Sequence, residues 1–438
     1  MQDIQTLMID DLARGRRPMT MRDISPRKTA QTAVICGDSI AANAWSTVGN
    51  NYISMNSDGY MTWANALAGN PFQLLARPAM GGKTAQNFID EQLPVIQALR
   101  PAFALMHVGY NDIYIDLVTG AVAFDRIKRA ISGLLDSSIV PVWSTLIARS
   151  YSSAALLKEH LDLNDRLRRW AYVEDVGIFW DGFGVTVTPT DTLAAIRSGW
   201  TYDSAPSVHP NNLGAYYLGK KLAAVLRGRL TPKPLVPFGA EDLTNAPTLK
   251  SNVLANPYFA GSGGTAGSNV SGTVPTSWTV DWTTRTGTGT ATSAVVDVTD
   301  PDTGLAVAKA IQVTIGGVPA ANDELRIGQL TGFNTQMSGG DSILAEGVFD
   351  LASPANVDRV RGRVQANGNE STWWGIPNQT PANLPEGFAA VWRTQPITVL
   401  GAGAASAAVY EARLKFSGDG SGTVLRLYQP RARVGVTV

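Results

Sequence analysis

The sequence predicts an α/β domain built on a parallel sheet, followed by an all-β domain. Two observations carry this. From residue 31 to about 230, short apolar runs alternate with longer segments of helical period. From about residue 250 onward the chain is rich in Gly, Thr, Ser, Val and Ala, and the helical period largely disappears.

The runs Thr32–Cys36, Ala102–Val108, Ile139–Leu146 and Val176–Trp180 have strand length and are bounded by polar residues or Gly. Between them, Phe124, Ile127, Ile131 and Leu134 recur at three- and four-residue steps, as a helix face does. Leu156, His160, Leu163, Leu167 and Trp170 form a second such face, and a third helix runs from Leu213 to about Leu226. Strand–helix alternation implies a parallel sheet covered on both faces, with functional loops at the carboxyl ends of the strands. Residues 1–30, with the basic stretch Arg14 to Arg17, read as a lead-in of short helix and extended chain. The α/β unit would occupy 31–230, a Pro-rich linker (Pro232, Pro234, Pro237) 231–250, and a β-sandwich 251–438. Ala308–Ile315 and Val424–Tyr428 are two of its expected strands.

Composition narrows the function classes. The 438 residues carry 36 Lys+Arg against 36 Asp+Glu, so the footprint of a nucleic-acid binder is absent. No apolar stretch reaches the ~18 residues of a membrane-spanning helix, so no membrane insertion is expected. The N-terminus shows no secretory signal, which leaves a cytoplasmic protein or one that is extracellular by another route, for example on a virion. The one cysteine, Cys36, lies in an apolar run and reads as a small core residue, without disulfide or zinc chemistry.

All three histidines, His107, His160 and His209, precede residue 230. A His-assisted nucleophile therefore has to be built in the α/β half. His107 lies inside a strand and His160 on an apolar helix face, so both read as structural. His209, in Ser207-Val208-His209-Pro210-Asn211-Asn212 ahead of the last helix, reads as a loop base. Ser39 follows the first strand in Gly37-Asp38-Ser39-Ile40, at the carboxyl edge where a helix would start. Gly81-Gly82-Lys83-Thr84 precedes a helix, and Gly109-Tyr110-Asn111-Asp112 follows a strand. Each fragment alone is more often a turn or a helix cap than a site.

In this order, each after its expected element, the four fragments resemble the SGNH (GDSL-like) hydrolase family over about residues 31–228. The resemblance implies a flavodoxin-like three-layer α/β/α sandwich and a serine mechanism without metal or organic cofactor. By the same resemblance Ser39 is the nucleophile and His209 its general base. The oxyanion hole would take the Ser39 and Gly82 N–H groups and the Asn111 amide. Asp38 and Asp112 match family positions that shape the loops. One position departs from the family: the acid normally three residues before the histidine is Pro206, and the nearest upstream acid is Asp203. Either the chain loops Asp203 back onto the imidazole, or the site is a Ser-His dyad.

The segment Asn252 to Phe259, with Pro275-Thr276-Ser277-Trp278, resembles a carbohydrate-binding-module-type jelly roll. Trp373-Trp374, in a Gly/Asn/Ser-rich stretch, reads as a loop and is a candidate substrate-binding platform for sugar rings, with core packing as the alternative. The combination is similar to tail-associated carbohydrate esterases of bacteriophages. It implies an O-deacetylase acting on an acylated polysaccharide, and a homo-oligomer would suit a virion fibre. A small-ester or lipid esterase and a non-catalytic glycan-binding protein are the competing expectations.

Overall fold

The computed structural model describes residues 31–48, 52–151, 153–191, 193–203, 207–230, 252–299, 306–330, 337–374, 382–401 and 408–434. The lead-in 1–30 and the linker 231–250 lie outside them.

Five strands build the first sheet: β1 (Thr32–Gly37), β4 (Gln73–Ala76), β5 (Phe103–His107), β6 (Val140–Ser144) and β7 (Ile178–Trp180). All pair in parallel, in the order β4-β1-β5-β6-β7. This is a doubly wound order of the flavodoxin-like type, with the switch point between β1 and β5. β1 and β5 are buried almost throughout, which is why they read as unbroken apolar runs. Cys36 is fully buried in β1, and burial pushes its thiol well above the ordinary range.

The three long helices fall where the periodicity places them, and shorter ones join them. Among them are α1 (Ser39–Ala42), α2 (Tyr60–Leu67), α3 (Ala85–Asn87), which continues through a π-helical turn at Phe88–Gln92 into α4 (Leu93–Leu99), and α5 (Tyr110–Tyr114). They are followed by α6 (Gly120–Asp136), α7 (Ala154–Glu174), α8 (Gly182–Thr186) and α9 (Asn212–Arg229). The long ones start on side-chain caps: Thr119, Ser153 and Asn211.

The second half forms two sheets. One runs β2-β3-β16-β15-β19-β13-β10-β8, and the other β17-β14-β20-β12-β11-β9 with β18 beside β14. Their strands are β8 (Thr265–Ala266), β9 (Val270–Gly272), β10 (Thr279–Thr284), β11 (Thr290–Thr299), β12 (Ala306–Gly316), β13 (Glu324–Gln329) and β14 (Ser342–Ala352). The remainder are β15 (Val357–Ala366), β16 (Asn369–Trp373), β17 (Phe388–Arg393), β18 (Ile397–Thr398), β19 (Ala408–Phe416) and β20 (Val424–Val434). Aromatic rings join the two sheets: Tyr410 lies 5.5 Å from Trp392 and Phe349 lies 5.8 Å from Trp373.

The two halves share a sheet, which the sequence did not announce. The hairpin β2 (Trp45–Val48) and β3 (Tyr52–Met55) leaves the α/β half and pairs in parallel with β16, Met55 opposite Trp373. Trp373 and Trp374 therefore do not form a surface platform. They are 2% and 0% exposed, and the Trp374 ring meets Trp63 of α2 edge-on at 4.0 Å. The Trp374 N–H donates to the Met55 carbonyl (2.7 Å). Buried apolar rings at the seam between two layers have no face left for a sugar. Asn212 closes the same seam, its side chain exchanging two hydrogen bonds with the Ala382 backbone.

Candidate functional site

β1 and β5 end in register, Gly37 opposite His107, and the Asp38 N–H donates to the His107 carbonyl (2.9 Å). This sets the segments that lead into Ser39 and Asn111 at neighbouring strand ends, at the switch point, where an open α/β sheet leaves a crevice. Gly37 has φ +120°, and a Cβ there would lie 1.8 Å from the His107 oxygen, so only glycine fits the turn into Ser39. The Asp38 carboxylate caps α1 by accepting the Ile40 N–H (3.0 Å) and meets His107 Nδ1 with both oxygens at 3.1 Å. The Ser39 N–H opens the helix and has no intrahelical partner.

His209 approaches from the other side. Asn211 accepts the Leu213 and Gly214 N–H groups at the head of α9, which fixes the chain two residues past the imidazole. His209 Nε2 lies 2.8 Å from Ser39 Oγ, and Nδ1 lies 2.9 Å from Asp203 Oδ2. A carboxylate only accepts, so Nδ1 carries the proton and Nε2 is left to accept from the serine. Asp203 also accepts the Val208 and His209 N–H groups, at 3.0 and 3.1 Å. The chain thus folds back and brings an acid six positions upstream onto the imidazole. Residues 204–206, including Pro206, lie outside those described.

Around the serine, Gly82 takes φ +75° and is exposed, with open space beside it, and a Cβ at Gly81 would stand 3.8 Å from that of Ser39. Asn111 Nδ2 donates to the Lys83 carbonyl (2.9 Å), which ties the glycine loop to the third fragment and leaves one amide hydrogen. Buried Asp112 holds the same loop from below: it accepts the Ala85 N–H (2.7 Å) and pairs with Arg126 (2.9 Å). Burial, the largest influence on it, raises its carboxyl above the usual range.

Two positioning residues escape a sequence reading. Gln92, on the π-helical turn, bonds both sides of Gly37: Oε1 accepts its N–H and Nε2 donates to its carbonyl, each at 2.8 Å. Tyr202 stacks on the His209 imidazole (5.7 Å, 17°), and its hydroxyl accepts from Asn43 (3.1 Å). A lone Gln or Tyr at these positions carries no motif, so only the fold exposes its role.

His107 and His160 stay out of the chemistry. His160 is fully buried with Tyr114 on its Nδ1 (2.9 Å), and burial pushes its pKa down to about 3. The unfolded chain, at about 6.5, takes up a proton that the folded chain refuses, so stability is full above that pH and falls as pH drops toward 3. Between pH 7 and pH 5 this amounts to about 2 kcal/mol. Urea melts at both pH values should show that loss in the wild type and a smaller one, by roughly that amount, in His160→Gln. Equal losses would assign the acid sensitivity elsewhere. Among the described residues, no group of three or more His, Cys, Asp and Glu is disposed to hold a metal ion.

A serine, a histidine and an aspartate in hydrogen-bond contact, beside a glycine loop and an asparagine amide, form the kind of arrangement a serine hydrolase uses. Residues 35–216 match the GDSL-like Lipase/Acylhydrolase family, and this part of the chain is a GDSL-like hydrolase domain. No curated protein matches the chain. Solved structures similar to it include a GDSL-like lipase from Bacteroides thetaiotaomicron (16% identity, 47% of this chain and 92% of that one, TM-score 0.36). They also include the acetyl xylan esterase AlAXEase (16%, 44% and 99%, TM-score 0.35) and an acetyl-xylooligosaccharide esterase from Geobacillus Stearmophilus (12%, 45% and 94%, TM-score 0.36). At such identities and scores the site's geometry, rather than these likenesses, has to carry the chemistry.

Proposed function

We propose that the protein is a serine esterase that removes O-acyl groups, in the first instance O-acetyl, from a polysaccharide. The observation that carries the esterase reading is the chain of contacts Ser39–His209–Asp203, at 2.8 and 2.9 Å. Ser39 Oγ attacks the ester carbonyl while His209 Nε2 takes its proton. The oxyanion is held by the Ser39 and Gly82 N–H groups and the free hydrogen of Asn111 Nδ2. Collapse expels the sugar alkoxide, which His209 protonates. Water then attacks the acyl-enzyme, His209 accepts its proton, and the carboxylate leaves as Ser39 is restored.

The polysaccharide reading is supported by the open rim, where Gly81 and Gly82 are exposed and Met80 is 53% exposed, so a chain can lie across the serine. It also draws on the resemblance of the β-rich half to carbohydrate-binding modules. An extracellular or virion setting, and a homo-oligomer, belong to the same proposal. One observation favours longer acyl groups: Ile115 and Leu117, just past Asn111, are 59% and 68% exposed and offer apolar surface near the site. Comparing p-nitrophenyl acetate with the octanoate ester separates the two readings. Acetate preferred at least tenfold, with acetate released from an acetylated polysaccharide, supports the deacetylase. Octanoate preferred sinks it in favour of a lipid esterase.

A further inference from the structure

We infer that the groove beside the His209 segment is a binding site for an acidic polysaccharide chain. It measures about 850 Å³ and lies between the segment 197–200 and α9, with Pro385 of the β-rich half on its border. Trp200 and Tyr217, both in its lining, stack on each other nearly parallel (4.8 Å, 8°) and form a rigid aromatic pair. The Arg197 guanidinium sits 5.4 Å from the Trp200 ring centre, and its Nε donates to the Val185 carbonyl (3.0 Å). Neither Arg197 nor Lys221 forms an ion pair with a described carboxylate. Lys220 pairs with Glu386 at 2.5 Å. Three cations, Arg197, Lys220 and Lys221, thus line the groove, with Glu386 paired to one of them, in a chain whose formal net charge is zero. A cationic groove with aromatic walls attracts an anionic chain, and an anchored guanidinium offers a fork that matches a carboxylate.

Continuity with the serine makes the occupant a glycan rather than another polyanion. The Trp200 carbonyl accepts the Asn211 N–H (2.9 Å), Thr201 bridges Pro210, and the Tyr202 N–H donates to the His209 carbonyl (3.1 Å). One short paired segment therefore carries the groove wall at one end and the catalytic imidazole at the other. A uronic-acid-bearing chain lying in the groove is thereby held against the segment that is paired with the stretch holding His209. The choice of a glycan as occupant and its delivery to Ser39 rest on the esterase reading; the cationic, aromatic character of the groove does not.

The test uses full-length Ser39→Ala protein in affinity electrophoresis through gels containing polygalacturonate, neutral arabinoxylan or double-stranded DNA. Retardation by polygalacturonate, weakened by salt and absent with arabinoxylan, is expected. Lys221→Glu should weaken it at least fivefold, while Lys309→Glu, the same charge change on β12, should leave it within twofold. No retardation by polygalacturonate, equal weakening by both variants, or equal retardation by DNA overturns the proposal. Wild type that is retarded but hydrolyses no ester would remove the esterase reading and leave the groove standing.

Discussion

Ser39→Ala is expected to lower kcat for p-nitrophenyl acetate by at least about 10³-fold. The substitution removes the atom placed to attack: among the described residues, Ser39 Oγ is the group that meets His209 Nε2, at 2.8 Å. The oxyanion donors stay in place, because Asp38 still caps α1 through Ile40 and Asn111 still bonds Lys83. What remains is the modest acceleration those donors supply without a covalent step. His209→Ala should cost a similar factor, and the double variant little more, since nucleophile and base act as a unit. Thermal melting should be nearly unchanged, which separates lost chemistry from lost folding. A Ser39→Ala protein that keeps a tenth of the wild-type rate would place catalysis on another residue.

Asp203→Asn should lower kcat by about 10²–10⁴-fold with a much smaller change in KM. The carboxylate accepts from Val208 N–H, His209 N–H and His209 Nδ1 together. An amide oxygen can serve the two backbone donors, but its NH₂ then faces Nδ1. The imidazole turns to the tautomer with its proton on Nε2, which can no longer accept from Ser39. A loss below tenfold would mean that the site works as a Ser-His dyad oriented by its stacked Tyr202 and the loop backbone.

Much of the catalytic half is legible in the sequence because its signals are local. Strands buried on both faces leave apolar runs, as in Ala33 to Cys36 and Phe103 to His107, and the long helices leave a period and a cap. Ser39, Gly82, Asn111 and His209 each stand beside such an element, so their place at the sheet's carboxyl edge follows from order alone. The role of Asp203 did not follow, since Pro206 holds the customary position and the return to His209 depends on how the loop turns. The reading of Trp373 and Trp374 as a sugar platform failed for a related reason. Their neighbours in sequence are polar, but their neighbours in space are Met55 and Trp63, more than 300 positions earlier.

The sequence by itself determined the α/β class, the parallel sheet, the β-rich second half and the four fragments around the serine. Those depend on periodicity, caps and turns, which act over a few residues. Only the tertiary structure decided that a hairpin of the first half completes a sheet of the second, that Gln92 grips the Gly37 peptide, and that Asp203 reaches His209. Each of these is a contact between segments whose pairing is chosen by packing and hydrogen bonding in three dimensions, and such pairings leave no local trace along the chain.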